Sequence, residues 1–182
     1  MSSEDCGALE SCMRVLISDT SALIDLRKVH LIEAFLSLPY DFLIPDVILE
    51  LELRSFSEDE IDFLKRKVRV SSLTSQELQQ VQALIPLHQA LSEVDVFVLV
   101  TAKKHSDAIL LTGDQRLRDL AEQESLEVHG VLWVIEELAK AGTPLAVLQT
   151  ALEVWRLEPA CRIPDNLIRQ TEARVRRYVA GQ

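Results

Sequence analysis

Four acidic residues stand where their type and spacing could do chemistry. Asp19 closes the first apolar run in SDTSALIDL, and Glu50 lies about a helical turn past Pro45 in IPDVILELE. Asp95 sits in the first turn of a helical stretch, SEVDVFVLVTA, and Asp114 ends the run LLTGD in LLTGDQRLRDLA. Carboxylates brought together repel, and desolvation raises their pKa values, so such a cluster calls for a cation. Oxygen donors with no neighbouring His or Cys pair suit Mg²⁺ or Mn²⁺ better than zinc. Magnesium keeps several waters and is usually completed by substrate phosphate oxygens, which points to phosphoryl chemistry. Ser21 and Thr112 are placed to support these acids by hydrogen bonds, and Gly113 permits close backbone approach.

Each acid also has an ordinary reading. Asp19 and Asp114 precede helical stretches and suit N-caps, and Ser92 with Asp95 fits a capping box. Capping alone does not place an acid after each core strand together with a glutamate inside a helix. Glu52 competes with Glu50, because two residues apart on an α-helix they point about 200° apart and only one can face the site. Spacing from Pro45 favours Glu50.

The elements that position these residues alternate. Short apolar runs at residues 14–18, 41–44, 68–70, 108–111 and 126–129 read as strands. Between them, residues 21–37, a segment opening at Asp46, and residues 57–66, 75–88, 92–105 and 115–123 carry helical periodicity, followed by a helix over 131–140. This succession predicts an α/β fold, a mostly parallel central sheet with helices on both faces. Residues 1–13 read as a frayed leader, 14–142 as the main domain, and 143–182 as a C-terminal helical extension of two helices. In open parallel sheets ligands bind beyond the carboxyl ends of the strands, and there the four acids converge.

The 182 residues are 48% hydrophobic and carry a net charge of −10, enough apolar material for a core and too much negative charge for a generic polyanion binder. No apolar stretch is long enough to span a membrane, and the acidic start does not resemble a signal peptide. Cys6, Cys12 and Cys161 form no CxxC pair, which suits a reducing, cytoplasmic setting. Lys103 follows the Asp95 helix and Arg116 and Arg118 follow Asp114, which makes them the candidates for docking RNA locally. Trp133 and Trp155 read as core, and Leu145, Val147, Leu148, Leu152 and Trp155 as a face for a partner or a second copy if exposed.

Taken in order, SDTSALIDL, IPDVILELE, SEVDVFVLVTA and LLTGDQRLRDLA resemble the four acidic motifs of the PIN-domain family, over about residues 15–142. The resemblance implies a three-layer α/β/α nuclease domain in which Asp19, Glu50, Asp95 and Asp114 hold one or two Mg²⁺ or Mn²⁺ ions. It implies hydrolysis of RNA phosphodiesters to a 5′-phosphate and a 3′-hydroxyl. Because many members are toxins of toxin–antitoxin pairs, it also implies an antitoxin or other protein partner. The alternative is a non-catalytic PIN-like interaction module with a vestigial pocket. A haloacid-type phosphatase wants Asp-x-Asp where this chain has Asp19-Thr20-Ser21, and a receiver domain wants paired acids there.

Overall fold

Five short strands, the three inner ones apolar, are assembled into one sheet by the computed structural model, which describes residues 13–159 and 163–181. They are β1 (Val15–Ser18), β2 (Asp41–Pro45), β3 (Arg69–Ser71), β4 (Ile109–Leu111) and β5 (Glu127–His129), in the order β3-β2-β1-β4-β5. Every pairing is parallel, with Leu16 opposite both Phe42 and Ile109. The inner strands are buried along nearly their whole length, as VLIS, DFLIP and ILL require when helices cover both faces. The two edge strands are three residues long and largely polar, which leaves little edge for another chain to pair with.

The covering helices are α1 (Thr20–Lys28), α2 (Ile32–Phe35), α3 (Glu58–Lys67), α4 (Ser75–Leu84), α5 (Glu93–Lys103), α6 (Gln115–Gln123), α7 (Val131–Lys140), α8 (Leu145–Leu157) and α9 (Asp165–Ala180). Residues 21–37, expected as one helix, form two. The chain leaves α1 through His30 at φ 56°, and the amides of His30 and Leu31 bond back to the carbonyls of Arg27 and Leu26. That is a Schellman closure with histidine in the usual glycine place.

The segment after Pro45 departs further from expectation. Instead of an α-helix it makes a π-helical turn, Ile48–Glu52, followed by a 3₁₀ turn, Leu53–Ser55. The Leu53 amide bonds the Ile48 carbonyl five residues back, and both side chains are buried. The wider turn changes which residues share a face.

The C-terminal helices share the main core. Leu148, Leu152 and Trp155 of α8 and Ile168 and Val175 of α9 are buried with the sheet residues, and the Trp155 indole N–H donates to the Asp25 carbonyl of α1 at 3.1 Å. The face proposed for a partner is therefore mostly consumed within the chain: Leu148, Leu152 and Trp155 face inward, Leu145 is half-buried, and Val147 stays exposed. Residues 1–12 of the leader expected over 1–13, and all three cysteines, lie outside the described residues. Among the described residues no helix is long and apolar enough to cross a membrane.

Candidate metal centre

Strands β1 and β4 are neighbours although their chain connections run to opposite sides of the sheet, so a crevice opens between their carboxyl ends. Asp19 follows β1 directly, its amide bonded to the Leu111 carbonyl of β4 at 3.0 Å, and Thr112-Gly113-Asp114 leave β4 on the other side. A cavity of about 420 Å³ at this point is walled by Asp19, Glu52, Asp95 and Asp114, with Thr20, Ser21 and Val98 among the other lining residues.

Asp19 is the buried member, 4% exposed. Its carboxylate accepts from the Ala22 amide at 2.9 Å, from the Ser21 hydroxyl at 2.9 Å to each oxygen, and from the Thr112 hydroxyl. Burial pushes its pKa up to about 6, the three hydrogen-bonding groups pull it back, and the negative charge of Asp95 adds to the rise. Among the described residues none of the four acids has a Lys, Arg or His partner in an ion pair.

The supporting hydroxyls form a small frame. Thr112 donates to Asp19 and accepts the Asp114 amide at 3.0 Å, so it serves the acid across the crevice rather than its own neighbour's carboxylate. Ser21 donates to Asp19 and accepts the Gly113 amide at 2.9 Å. A Cβ at Gly113 would come within 3.0 Å of the Ser21 hydroxyl oxygen, so glycine keeps the β1 and β4 ends in register.

The structure brings Asp19, Asp95 and Asp114 together but not Glu50. In the π-helical turn Glu50 faces solvent, while Glu52 lines the cavity and accepts a hydrogen bond from the Thr20 hydroxyl. An α-helical phase counted from Pro45 selects Glu50 rather than the cavity-lining Glu52 because the turn bonds five residues back rather than four.

Each aspartate is also engaged as a cap. Asp19 caps α1, Asp95 forms a reciprocal capping box with Ser92, and Asp114 accepts the Arg116 and Leu117 amides at 2.8 and 3.0 Å. With the carboxylates turned to these donors, no three His, Cys, Asp or Glu side chains among the described residues are grouped to clamp an ion. The donor chemistry nonetheless fits a hard divalent cation, which retains waters and so tolerates a cluster wider than an all-protein cage.

The three cations read as docking candidates separate. Lys103 pairs with Glu124, at the opposite end of α5 from Asp95, about 12 Å along the helix at 1.5 Å per residue. Arg116 donates to the Ala90 carbonyl at 2.9 Å, pinning the loop before α5. Only Arg118 lines a cavity beside the acids, its guanidinium reaching the carbonyls of Thr112 and Val128 at 3.3 and 3.4 Å. Lys28 lines the same cavity and was not singled out from sequence. Its signal was available, since Ser21, Asp25 and Lys28 recur at i, i+4 and i+7 on one face of α1.

The fold and this placement of acids agree with a comparison against family models. A family model described as a PIN domain, DUF3368, matches residues 15–177, which includes the sheet, the four acids and both C-terminal helices. A search of curated proteins finds no match. A match over this much of the chain, on a parallel five-stranded sheet with acids at its carboxyl edge, places the chain in the PIN-domain family.

Proposed function

We propose that the chain is a Mg²⁺- or Mn²⁺-dependent ribonuclease that hydrolyses RNA phosphodiester bonds, with Asp19, Glu52, Asp95 and Asp114 as the ion's protein ligands. The observation that carries this reading is Asp19 itself: a carboxyl buried to 4% exposure, facing three other acids, with no cationic side chain beside it among the described residues. Capping and hydrogen bonds orient the Asp19 carboxylate but leave its charge buried, a penalty that a bound cation reverses.

A divalent ion here would supply Lewis acidity toward the phosphodiester and lower the pKa of water. The chain's own residues do the rest. Thr112, Ser21 and the Ala22 amide fix the Asp19 carboxylate in one orientation. At the cavity wall the Thr20 hydroxyl donates to Glu52 and the Ser92 hydroxyl donates to Asp95. The backbone at Gly113 leaves the crevice open to a strand's phosphates.

The test is cleavage of a labelled single-stranded RNA by the purified chain in Mg²⁺, Mn²⁺ or chelator, with Asp19→Asn and Asp95→Asn beside the wild type. The expected result is metal-dependent cleavage to 5′-phosphate ends, lost in both variants. Equal cleavage by all three removes the site. One observation favours the contrasting reading, a non-catalytic module of the same family: every aspartate of the cluster already caps a helix. That reading predicts no effect of divalent ions on stability or on RNA. A toxin role with a protein antitoxin is the narrower form of the proposal, and growth arrest on expression, abolished by Asp19→Asn, is its measurement.

A further inference from the structure

Asp95 and Asp114 reach the crevice from different helices, and the two helices are unequally anchored. Asp114 opens α6 just past β4, and α6 sends Leu117, Leu120 and Ala121 into the main core. Asp95 opens α5, and the chain that leads into it comes from α4 through a 3₁₀ turn, Ile85–Leu87, and a loop over residues 88–92. α4 contributes nothing to the main core. Its one buried residue, Val81, packs with Val96 and Val100 of α5 in a separate small cluster, whereas Val98, Leu99 and Ala102 of α5 join the sheet residues. Among the described residues, the hydrogen bonds of residues 88–91 stay within the segment 84–91, with one exception. The Arg116 guanidinium donates to the Ala90 carbonyl at 2.9 Å.

Both ends of that contact lead to an acid. Arg116 stands two positions past Asp114, and its own amide donates to the Asp114 carboxylate at 2.8 Å. Ala90 stands two positions before Ser92, whose amide and hydroxyl donate to the Asp95 carboxylate at 2.9 and 2.8 Å. One residue thus holds the first acid through its backbone and, through its side chain, the loop that caps the second. We propose that Arg116 is a positioning residue of the metal centre, which ties the Asp95 wall of the crevice to the Asp114 wall and keeps the two carboxylates at a fixed spacing for one divalent cation. This rests on the metal-dependent reading of the acid pocket.

Two effects of this side chain on an ion oppose each other. Its positive charge repels a cation, whereas its tie holds together two anions that would otherwise move apart. The guanidinium is exposed, so water and salt screen its charge, while the hydrogen bond to Ala90 acts through geometry, which screening does not weaken in the same way. The tie outweighs the charge. Removing the side chain therefore weakens metal binding, where a purely electrostatic role would strengthen it.

The test is Mn²⁺ affinity by titration calorimetry on the full chain, without RNA, for wild type, Arg116→Met and Arg116→Lys. Arg66→Met, which removes an exposed cation of α3, is the control. Arg116→Met is expected to bind Mn²⁺ about tenfold more weakly, the low end of the scale for residues that support metal ligands. Arg116→Lys keeps the charge and a donor on a flexible stem, and is expected to recover part of the loss. Arg66→Met should stay within about twofold of wild type. In chelator the urea midpoint of Arg116→Met should match that of wild type, as for other exposed positions, which separates positioning from a general loss of stability. On a labelled single-stranded RNA, raising Mn²⁺ should return Arg116→Met to near the wild-type rate and leave Asp19→Asn inactive. Mn²⁺ binding by Arg116→Met as tight as wild type, or tighter, overturns the proposal, as does an equal loss in Arg66→Met. The two readings fail separately. Wild type that never cleaves RNA, with the expected ranking of Mn²⁺ affinities, sinks the nuclease reading and leaves Arg116 in its role. Metal-dependent cleavage by wild type, with Mn²⁺ affinity unchanged in Arg116→Met, sinks the role of Arg116 and leaves the nuclease.

Discussion

The two edges of the sheet treat acids in opposite ways. At the amino edge, where the strands begin, Asp41 of β2 pairs with Arg69 of β3, and Glu127 of β5 pairs with Arg14 at 2.6 Å. Arg14 holds the Glu127 carboxyl below its ordinary pKa, and His129 adds to the effect from 2.9 Å. At the carboxyl edge Asp19, Glu52, Asp95 and Asp114 line one cavity, and hydroxyls and amides are the partners found there among the described residues. The same chain thus supplies arginines where acids serve the fold and withholds them where acids face the crevice. Neutral donors orient a carboxylate without satisfying its charge, which leaves that charge available to a cation.

The sharpest way to break this contrast is at the glutamate. Glu52→Gln keeps the Thr20 hydrogen bond but removes a charge from the cavity, and it is expected to reduce metal-dependent cleavage about 100-fold or more, the usual scale for a metal-site residue. Glu50→Gln, exposed on the same turn, is expected to stay within about twofold of wild type. Reversal of the two effects would put Glu50, not Glu52, at the ion.

That pair of residues also marks where sequence reading stops. The strands, their order of burial and the caps at Ser57 and Ser92 were legible because apolar runs and capping boxes are local signals. Asp19, Asp95 and Asp114 were legible because each follows a strand or opens a helix at the sheet's carboxyl edge. Glu52 was legible only as the competitor of Glu50, since no local residue type announces a bond five residues back and a helix counted at 3.6 residues per turn favours the other face. Lys103 lies away from the acids for a related reason: eight positions along α5 put it about 12 Å from Asp95, a separation that nearness in sequence does not reveal. Whether the apolar residues of α8 serve the core or a partner is not a local signal, and the burial of Leu148, Leu152 and Trp155 decides for the core.

Stability against pH sharpens the contrast next. A carboxyl held at about 6 in the fold and near 3.8 when unfolded takes up protons more readily in the folded state. Its contribution is therefore full below about 3.8 and is lost as pH rises through 6, with the ionised form costing the metal-free fold about 3 kcal/mol at neutral pH. Metal-free Asp19→Asn is expected to be more stable than wild type at pH 7.5 by about 1–3 kcal/mol, the gap closing by pH 4, in urea titrations with chelator. Adding Mn²⁺ should raise the melting temperature of wild type and not of the variant. A metal-free variant less stable than wild type at pH 7.5 would show that the Asp19 hydrogen bonds outweigh its buried charge.

The amino edge supplies the smallest effect and the opposite sign. Glu127 has a lowered pKa in the fold, so its pairing contributes above the ordinary glutamate range and is lost as pH falls through the lowered value. Both partners are about two-fifths exposed, and water screens most of their attraction. Glu127→Gln is thus expected to cost no more than about 1 kcal/mol at pH 7.5, with the difference from wild type shrinking in acid rather than in base. It should also leave the Mn²⁺ response unchanged, because its charge is already matched by Arg14. If Glu127→Gln abolished the Mn²⁺ effect on melting, the ion would be sensing the wrong edge of the sheet, and the separation between paired structural acids and unpaired crevice acids would not describe this molecule.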